Sequence, residues 1–169
     1  MRIQNITSQR AIWLSLLLLS GVQVHAQSAK QNCIESTTES QMEQHYVDDK
    51  GQQATRLVPL IKALPGSEVI YTITAKNGCN KSTDKGLVIN DAVPEHMTYV
   101  MNSALGVGTE ITYSVDGKTF VKSDALIIKN IDGSTRTVRA EDIKSIRWTF
   151  ENAFTPGQTG FVRFRATLN

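Results

Sequence analysis

At 169 residues, with 18 Lys and Arg against 16 Asp and Glu, the chain has room for one domain and a short appended segment. A surplus of two positive charges does not make the basic face that nucleic-acid binding requires. Two cysteines and three histidines, scattered along the sequence, fall short of the close-spaced sets that hold zinc.

Arg2 and Arg10 precede the apolar run from Ala11 to Leu19, which breaks at Ser20-Gly21 before Val24-His25-Ala26. A basic start, an apolar stretch and a small-x-Ala exit are the three parts of a secretory signal. A membrane-spanning helix needs ~20 apolar residues, and this run stops short. Cleavage is expected between Ala26 and Gln27, with retention as an N-terminal anchor as the alternative. Residues 1–26 hold two arginines and no carboxylate, so 169 less 26 leaves a neutral chain of 143 residues with 16 charges of each sign.

Both Cys33 and Cys79 remain after cleavage and enter an oxidising compartment, where an even count reads as one disulfide. Closing that loop stabilises by ~4 kcal/mol in the chain-entropy account. A lipid-modified Cys33 is the rival reading, although Ala29-Lys30-Gln31-Asn32 lacks the small apolar run for such processing.

Residues 27–40 are polar and without periodicity, and read as a leader tied down at Cys33; a single domain is expected over 41–169. Gln41 to Val47 makes a first modest strand, broken by the turn cluster Asp48-Asp49-Lys50-Gly51, and Ala54 to Val58 resumes extended chain. Pro59 and Pro65 bracket a piece that belongs at an edge or in a crossing loop. The most regular stretch follows. Pro65-Gly66 turns into a strand in which Val69, Tyr71, Ile73 and Ala75 share one face, with Ile70 the single apolar residue on the other, and Asn77-Gly78 ends it.

Further strands are expected over Leu87 to Asp91, Met97 to Val100 and Ile111 to Val115. Asp116-Gly117 predicts a tight primed hairpin into Thr119-Phe120-Val121, and Asp132-Gly133 a second hairpin between Leu126-Ile127-Ile128 and Thr135 to Val138. Ala140 to Ile143 suits one helical turn. Ile146, Trp148 and Phe150 then share a face, Pro156-Gly157 repeats the Pro-Gly corner, and Val162, Phe164, Ala166 and Leu168 close the chain on one face. Many short strands with a turn signal every ten residues or so describe an all-β antiparallel sandwich.

Three pieces of this pattern carry a resemblance: Pro65-Gly66 followed by the strand through Tyr71 to Asn77, the run Val88 to Val100 with Asp91, Pro94 and Tyr99, and Trp148 followed by Pro156-Gly157. Together, over about residues 53–169, they resemble the immunoglobulin-like repeat of bacterial surface and secreted proteins known as domain of unknown function 11. That likeness implies a Greek-key immunoglobulin-like sandwich, met as repeats or accessory modules in the envelope, with no catalytic residues and no cofactor. Cys79 departs from the family's Thr-Gly type turn at this loop. Only one copy is present, so a stalk of repeated modules is not available to this chain alone.

Other residues invite chemistry. His45 and His96 are the histidines left after cleavage, and His96 beside Pro94-Glu95 could serve a general acid or base, but no nucleophile lies at a recognisable spacing. Asp48-Asp49 and Asp132-Gly133 lack the alternating oxygen ligands of a calcium loop and suit turn chemistry. Tyr71, Tyr99, Tyr113, Trp148, Phe150 and Phe164 read as inter-sheet core before they read as a stacking platform. Arg147, Arg163 and Arg165, placed on outward faces of late strands taken as adjacent, form either a cationic stripe or a solvated face. Asn80-Lys81-Ser82 matches a glycosylation sequon. The residues thus point to an exported, non-enzymatic module that contacts an envelope or surface protein, or alternatively to a periplasmic assembly factor working through an exposed strand edge.

Overall fold

The computed structural model describes residues 33–169, so the expected signal sequence, its expected exit at Ala26 and Gln27, and the first part of the expected leader lie outside the described residues. Strands β1 (Ile34–Val47), β2 (Gln53–Pro59), β3 (Glu68–Asn77), β4 (Gly86–Ala92), β5 (Met97–Tyr99) and β6 (Leu105–Gly106) are followed by β7 (Thr109–Ser114), β8 (Ile127–Lys129), β9 (Thr135–Thr137), β10 (Ser145–Ala153) and β11 (Thr159–Leu168). The larger sheet runs β2-β1-β3-β11-β5, with β6 also on β11, and the second sheet runs β4-β10-β7. Strands β8 and β9 pair as a separate hairpin. All pairings are antiparallel.

One apolar core lies between the two larger sheets. Ile73, Val162, Phe164 and Ala166 contribute from one sheet, and Ile146, Trp148 and Phe150 from the other. Val69, Ile73 and Ala75 are buried as the alternation requires. Aromatic residues fill this core: Tyr71 stacks on Phe164 at 5.0 Å within the larger sheet, and Trp148 meets Phe164 at 6.2 Å across the core. Phe150 and Phe154 pack edge to face at 4.8 Å. Such pairs add about 0.5–1.5 kcal/mol beyond the area they bury. At the bulged end of the β4–β10 pair, Gly86 lies so close to Phe150 that a Cβ would fall 1.6 Å from its carbonyl oxygen. No other residue fits there.

The sequence reading needs correction at three places. Residues 34–40, read as part of an unstructured leader, form the first half of β1 and pair in register with β3, from Ile34 opposite Asn77 to Ser40 opposite Tyr71. Backbone pairing, with both faces left largely wet, makes this strand, and side-chain periodicity does not report that. The reversal at Asp116-Gly117 occurs, but not as a two-residue turn. Ladder contact resumes only at Tyr113 opposite Val121, because the Asp116 carboxylate gathers the Lys118 and Thr119 N–H groups and the Ser114 hydroxyl, and the chain wraps around it. Third, the late strands taken as adjacent are not, since Arg147 lies in the second sheet while Arg163 and Arg165 lie in the first, so the three do not make one stripe.

The hairpin at Asp132-Gly133 and the single turn at Ala140–Asp142 fall where expected. They are joined by Arg136, whose guanidinium donates twice to Asp142, at 2.6 and 2.7 Å, while the Arg139 N–H donates to the same carboxylate at 2.8 Å. The Arg136 hydrogen bonds, ahead of the other contacts, lower the Asp142 carboxyl from its ordinary 3.8 to about 2. A lowered carboxyl stabilises the fold above its ordinary value and loses that contribution as pH falls through the folded one. The thermal midpoint is therefore expected to fall between pH 3.8 and about 2, and to fall less in an Asp142→Asn variant, whose midpoint starts lower at neutral pH. Thermal denaturation of both proteins across that range checks this.

Candidate functional site

Of the residues singled out by their motif, Pro65, Gly66, Tyr71, Asn77, Pro156 and Gly157 lie along or at the ends of one ladder, whereas Asp91 and Trp148 lie in the other sheet. In each Pro-Gly corner glycine takes the left-handed conformation, Gly66 at φ 86° and Gly157 at φ 79°, where a side chain would be strained. Each corner closes a four-residue turn: Ser67 N–H donates to Leu64 C=O at 2.8 Å, and Gln158 N–H to Thr155 C=O at 3.0 Å. The two turns then clasp the opposite strand. Gly66 N–H donates to Leu168 C=O at 2.7 Å, and Gly157 N–H to Asn77 C=O at 2.8 Å. Between these clasps, β3 and β11 pair from Glu68 opposite Thr167 to Lys76 opposite Thr159.

Asn77 is fully buried, and every polar group it carries has a partner. Its side-chain amide donates to Phe154 C=O at 2.8 Å and Lys81 C=O at 3.0 Å, its Oδ1 accepts the Cys79 N–H at 2.9 Å, and its own N–H donates to Gln158 C=O at 2.9 Å. A buried amide satisfied in this way ties the β3 exit, the loop after it and the β10–β11 connection together. Beside it, Cys33 and Cys79 form a disulfide with Cα atoms 5.2 Å apart, closing a separation of 46 residues. Gly78 N–H donates to Cys33 C=O at 2.9 Å.

The middle motif supports the other end of the ladder. Tyr71 donates its hydroxyl to Met97 Sδ at 2.9 Å; burial, then the nearby Asp91 charge, raise its pKa. Burial also raises the Asp91 carboxyl, against the lowering effect of the Ala92 N–H that Oδ1 accepts. Pro94 C=O accepts Met97 N–H in a turn whose third residue, His96, sits at φ 62°. Tyr99, buried, accepts the Ala104 N–H on its hydroxyl at 3.1 Å. Trp148 is fully buried, and among the described residues its Nε1–H has no hydrogen-bond partner.

The other candidates do not converge. His45 lies on the β1–β2 hairpin, 3.0 Å from Thr55 Oγ1, and His96 in its turn near the chain end, where its C=O accepts the Asn169 N–H. Asp48 accepts the Lys50 and Gln52 N–H groups, and Asp132 accepts the Ser134 N–H and hydroxyl, which is turn chemistry. Among the described residues no group of three His, Cys, Asp or Glu side chains is close enough to hold a metal ion, and no helix is long and apolar enough to cross a membrane. Arg147 donates to Asn90 and lies over the Phe120 ring at 3.8 Å. Asn80 of the sequon is exposed.

Sequence reasoning missed a polar latch on the outer face of the larger sheet. Arg165 reaches Glu68 at 2.6 Å and Glu43 at 2.8 Å, so β11 holds the second half of β1 across the intervening β3. Ile70, 1 % exposed, lies on this face beside Met42 and Glu43. The one apolar residue out of phase in β3 was its signal. Among the described residues, the outer edge of β4 has no neighbouring strand. Val93 N–H donates to Lys144 C=O on the β10 side, so alternation turns the N–H and C=O groups of Val88, Asn90 and Ala92 outward. Asp91 takes the Ala92 N–H itself.

Comparison with models of known families, with curated proteins and with solved structures returns no match in any of the three.

An Asn77→Ala variant takes the acceptor from the Cys79 N–H, leaves the Phe154 C=O with the Thr83 N–H alone and opens a gap at a fully buried position, and is expected to lose about 2–4 kcal/mol of stability. Asn80→Ala, three residues away and exposed, is expected to change stability by less than about 0.5 kcal/mol. Urea denaturation of the two variants beside the parent protein measures the difference.

Proposed function

We propose that this chain is an exported, non-catalytic module of the bacterial envelope, an immunoglobulin-like sandwich with Greek-key connections of the kind known as domain of unknown function 11, that contacts another protein through a strand edge. The β4 edge carries this reading. Among the described residues, its outward N–H and C=O groups at Val88 and Asn90 have no neighbouring strand, and Val88 is 46 % exposed. An extended segment of a partner added here would continue the β4-β10-β7 sheet, taking its affinity from main-chain hydrogen bonds and its specificity from alternate side chains. The disulfide suits an oxidising compartment, and the Pro-Gly corners with their shared ladder support the family likeness.

One observation favours the second reading, an assembly factor that shelters an apolar segment. A cavity of about 250 Å³ opens between the β6–β7 turn and the start of β11, lined by Phe150, Phe154, Val107 and Phe161, the last two 80 % and 46 % exposed. Exposed apolar surface beside the short β6 edge is what a transient client would use.

The readings separate by photo-crosslinking in the native envelope. Crosslinkers at Val88 and Asn90 are expected to capture the same protein, with none captured from Lys76 on β3. Val88→Pro, which removes an outward N–H without touching the β10 ladder, is expected to abolish capture. Capture only from Val107 and Phe161 favours the assembly factor, and turnover of a small substrate with no capture overturns both. The same preparation tests export, since the captured chain is expected to begin at Gln27.

A further inference from the structure

Asn77-Gly78 pairs a side-chain amide with a following residue that has no Cβ, the combination in which a backbone nitrogen most readily attacks the amide carbon. In that reaction the Gly78 nitrogen loses its proton and bonds to Asn77 Cγ, the Cγ–Nδ2 bond breaks and ammonia leaves. Water then opens the cyclic imide to aspartate or isoaspartate. No oxidant or reductant takes part. In this fold both reactants are restrained. The nucleophile's N–H donates to Cys33 C=O at 2.9 Å, while Asn77 Oδ1 accepts the Cys79 N–H at 2.9 Å and Nδ2 is engaged by the Phe154 and Lys81 carbonyls.

The residue that restrains the nucleophile and the residue whose N–H holds the electrophile are the two ends of the one disulfide. We infer that Asn77-Gly78 is a latent self-modification site and that the Cys33–Cys79 bond guards it. Cys33 immediately precedes β1, so a thiol reductant frees its carbonyl to fray, releases Gly78 N–H and loosens Cys79. Local opening of this corner, with the rest of the sheet intact, then permits ring closure. The product is a carboxylate, or a lengthened backbone, at a position that is 0 % exposed and faces two carbonyl oxygens. Neither fits, so a passing exposure to reductant becomes a permanent break in the clasp between β3 and the β10–β11 connection.

The test incubates the full chain at mildly alkaline pH, with the disulfide intact or reduced by dithiothreitol and alkylated, and follows the peptide spanning residues 77 and 78 by mass spectrometry for amide loss and isoaspartate. Hydrogen exchange at Val162 and Phe164, in the centre of β11, reports whether the fold stays closed. Conversion is expected to be on the order of tenfold or more faster in the reduced protein, with the β11 amides still protected. Equal rates in the two states overturn the inference. So does a faster reaction that appears only with loss of protection at Val162 and Phe164, because the bond then guards the whole fold and not this site.

Discussion

The fold depends on the ladder between β3 and β11, two strands far apart in sequence that meet at the centre of the larger sheet. Their inward residues, Tyr71, Ile73, Val162 and Phe164, supply one wall of the core, and Trp148 packs on Phe164 from the other sheet. Long-range pairing of this kind must be held in register, since a slip of one residue would turn every buried side chain outward. The two Pro-Gly turns provide that restraint. Each precedes one strand and bonds to the far end of the other, so the register is set at both ends.

Around this ladder, the polar groups most suggestive of chemistry are committed to local structure. Asp48, Asp116, Asp132 and Asp142 each accept N–H groups from residues within a few positions, and Asn77 spends its amide on three backbone partners. The carboxylates of Glu43 and Glu68 are taken up by Arg165. Main chain stays available along the outer edges of β4 and β2, and apolar side chain at several exposed positions, Val107 and Phe161 among them.

The parts of this arrangement that were readable in the sequence are those in which burial on one face imposes a period of two. Val69 to Ala75, Ile146 to Phe150 and Val162 to Ala166 fall in that class, and so do the aromatic residues of the core. Residues 34–40 are not readable in this way, because a polar strand wet on both faces has no period to show and owes its place to pairing with β3. Arg147 and Arg163 misled for a different reason. Strands β10 and β11 follow one another in the chain but belong to different sheets, so closeness in sequence did not mean closeness in space. The Asn77 hub was only half legible: its position at the strand end could be read, but its partners at Lys81 and Phe154 come from loops whose paths no local pattern specifies.

The disulfide also determines how the domain would bear mechanical load. Tension between Cys33 and Asn169 crosses directly from Cys33 to Cys79, so the covalent path bypasses residues 34–78 and the pull is applied beside the C-terminal end of β3. It leaves through the C-terminal end of β11. Because β3 and β11 are antiparallel, those two ends lie at opposite extremes of the ladder, and pulling them apart slides one strand along the other. In that geometry the hydrogen bonds resist together, whereas in peeling they would give way one after another.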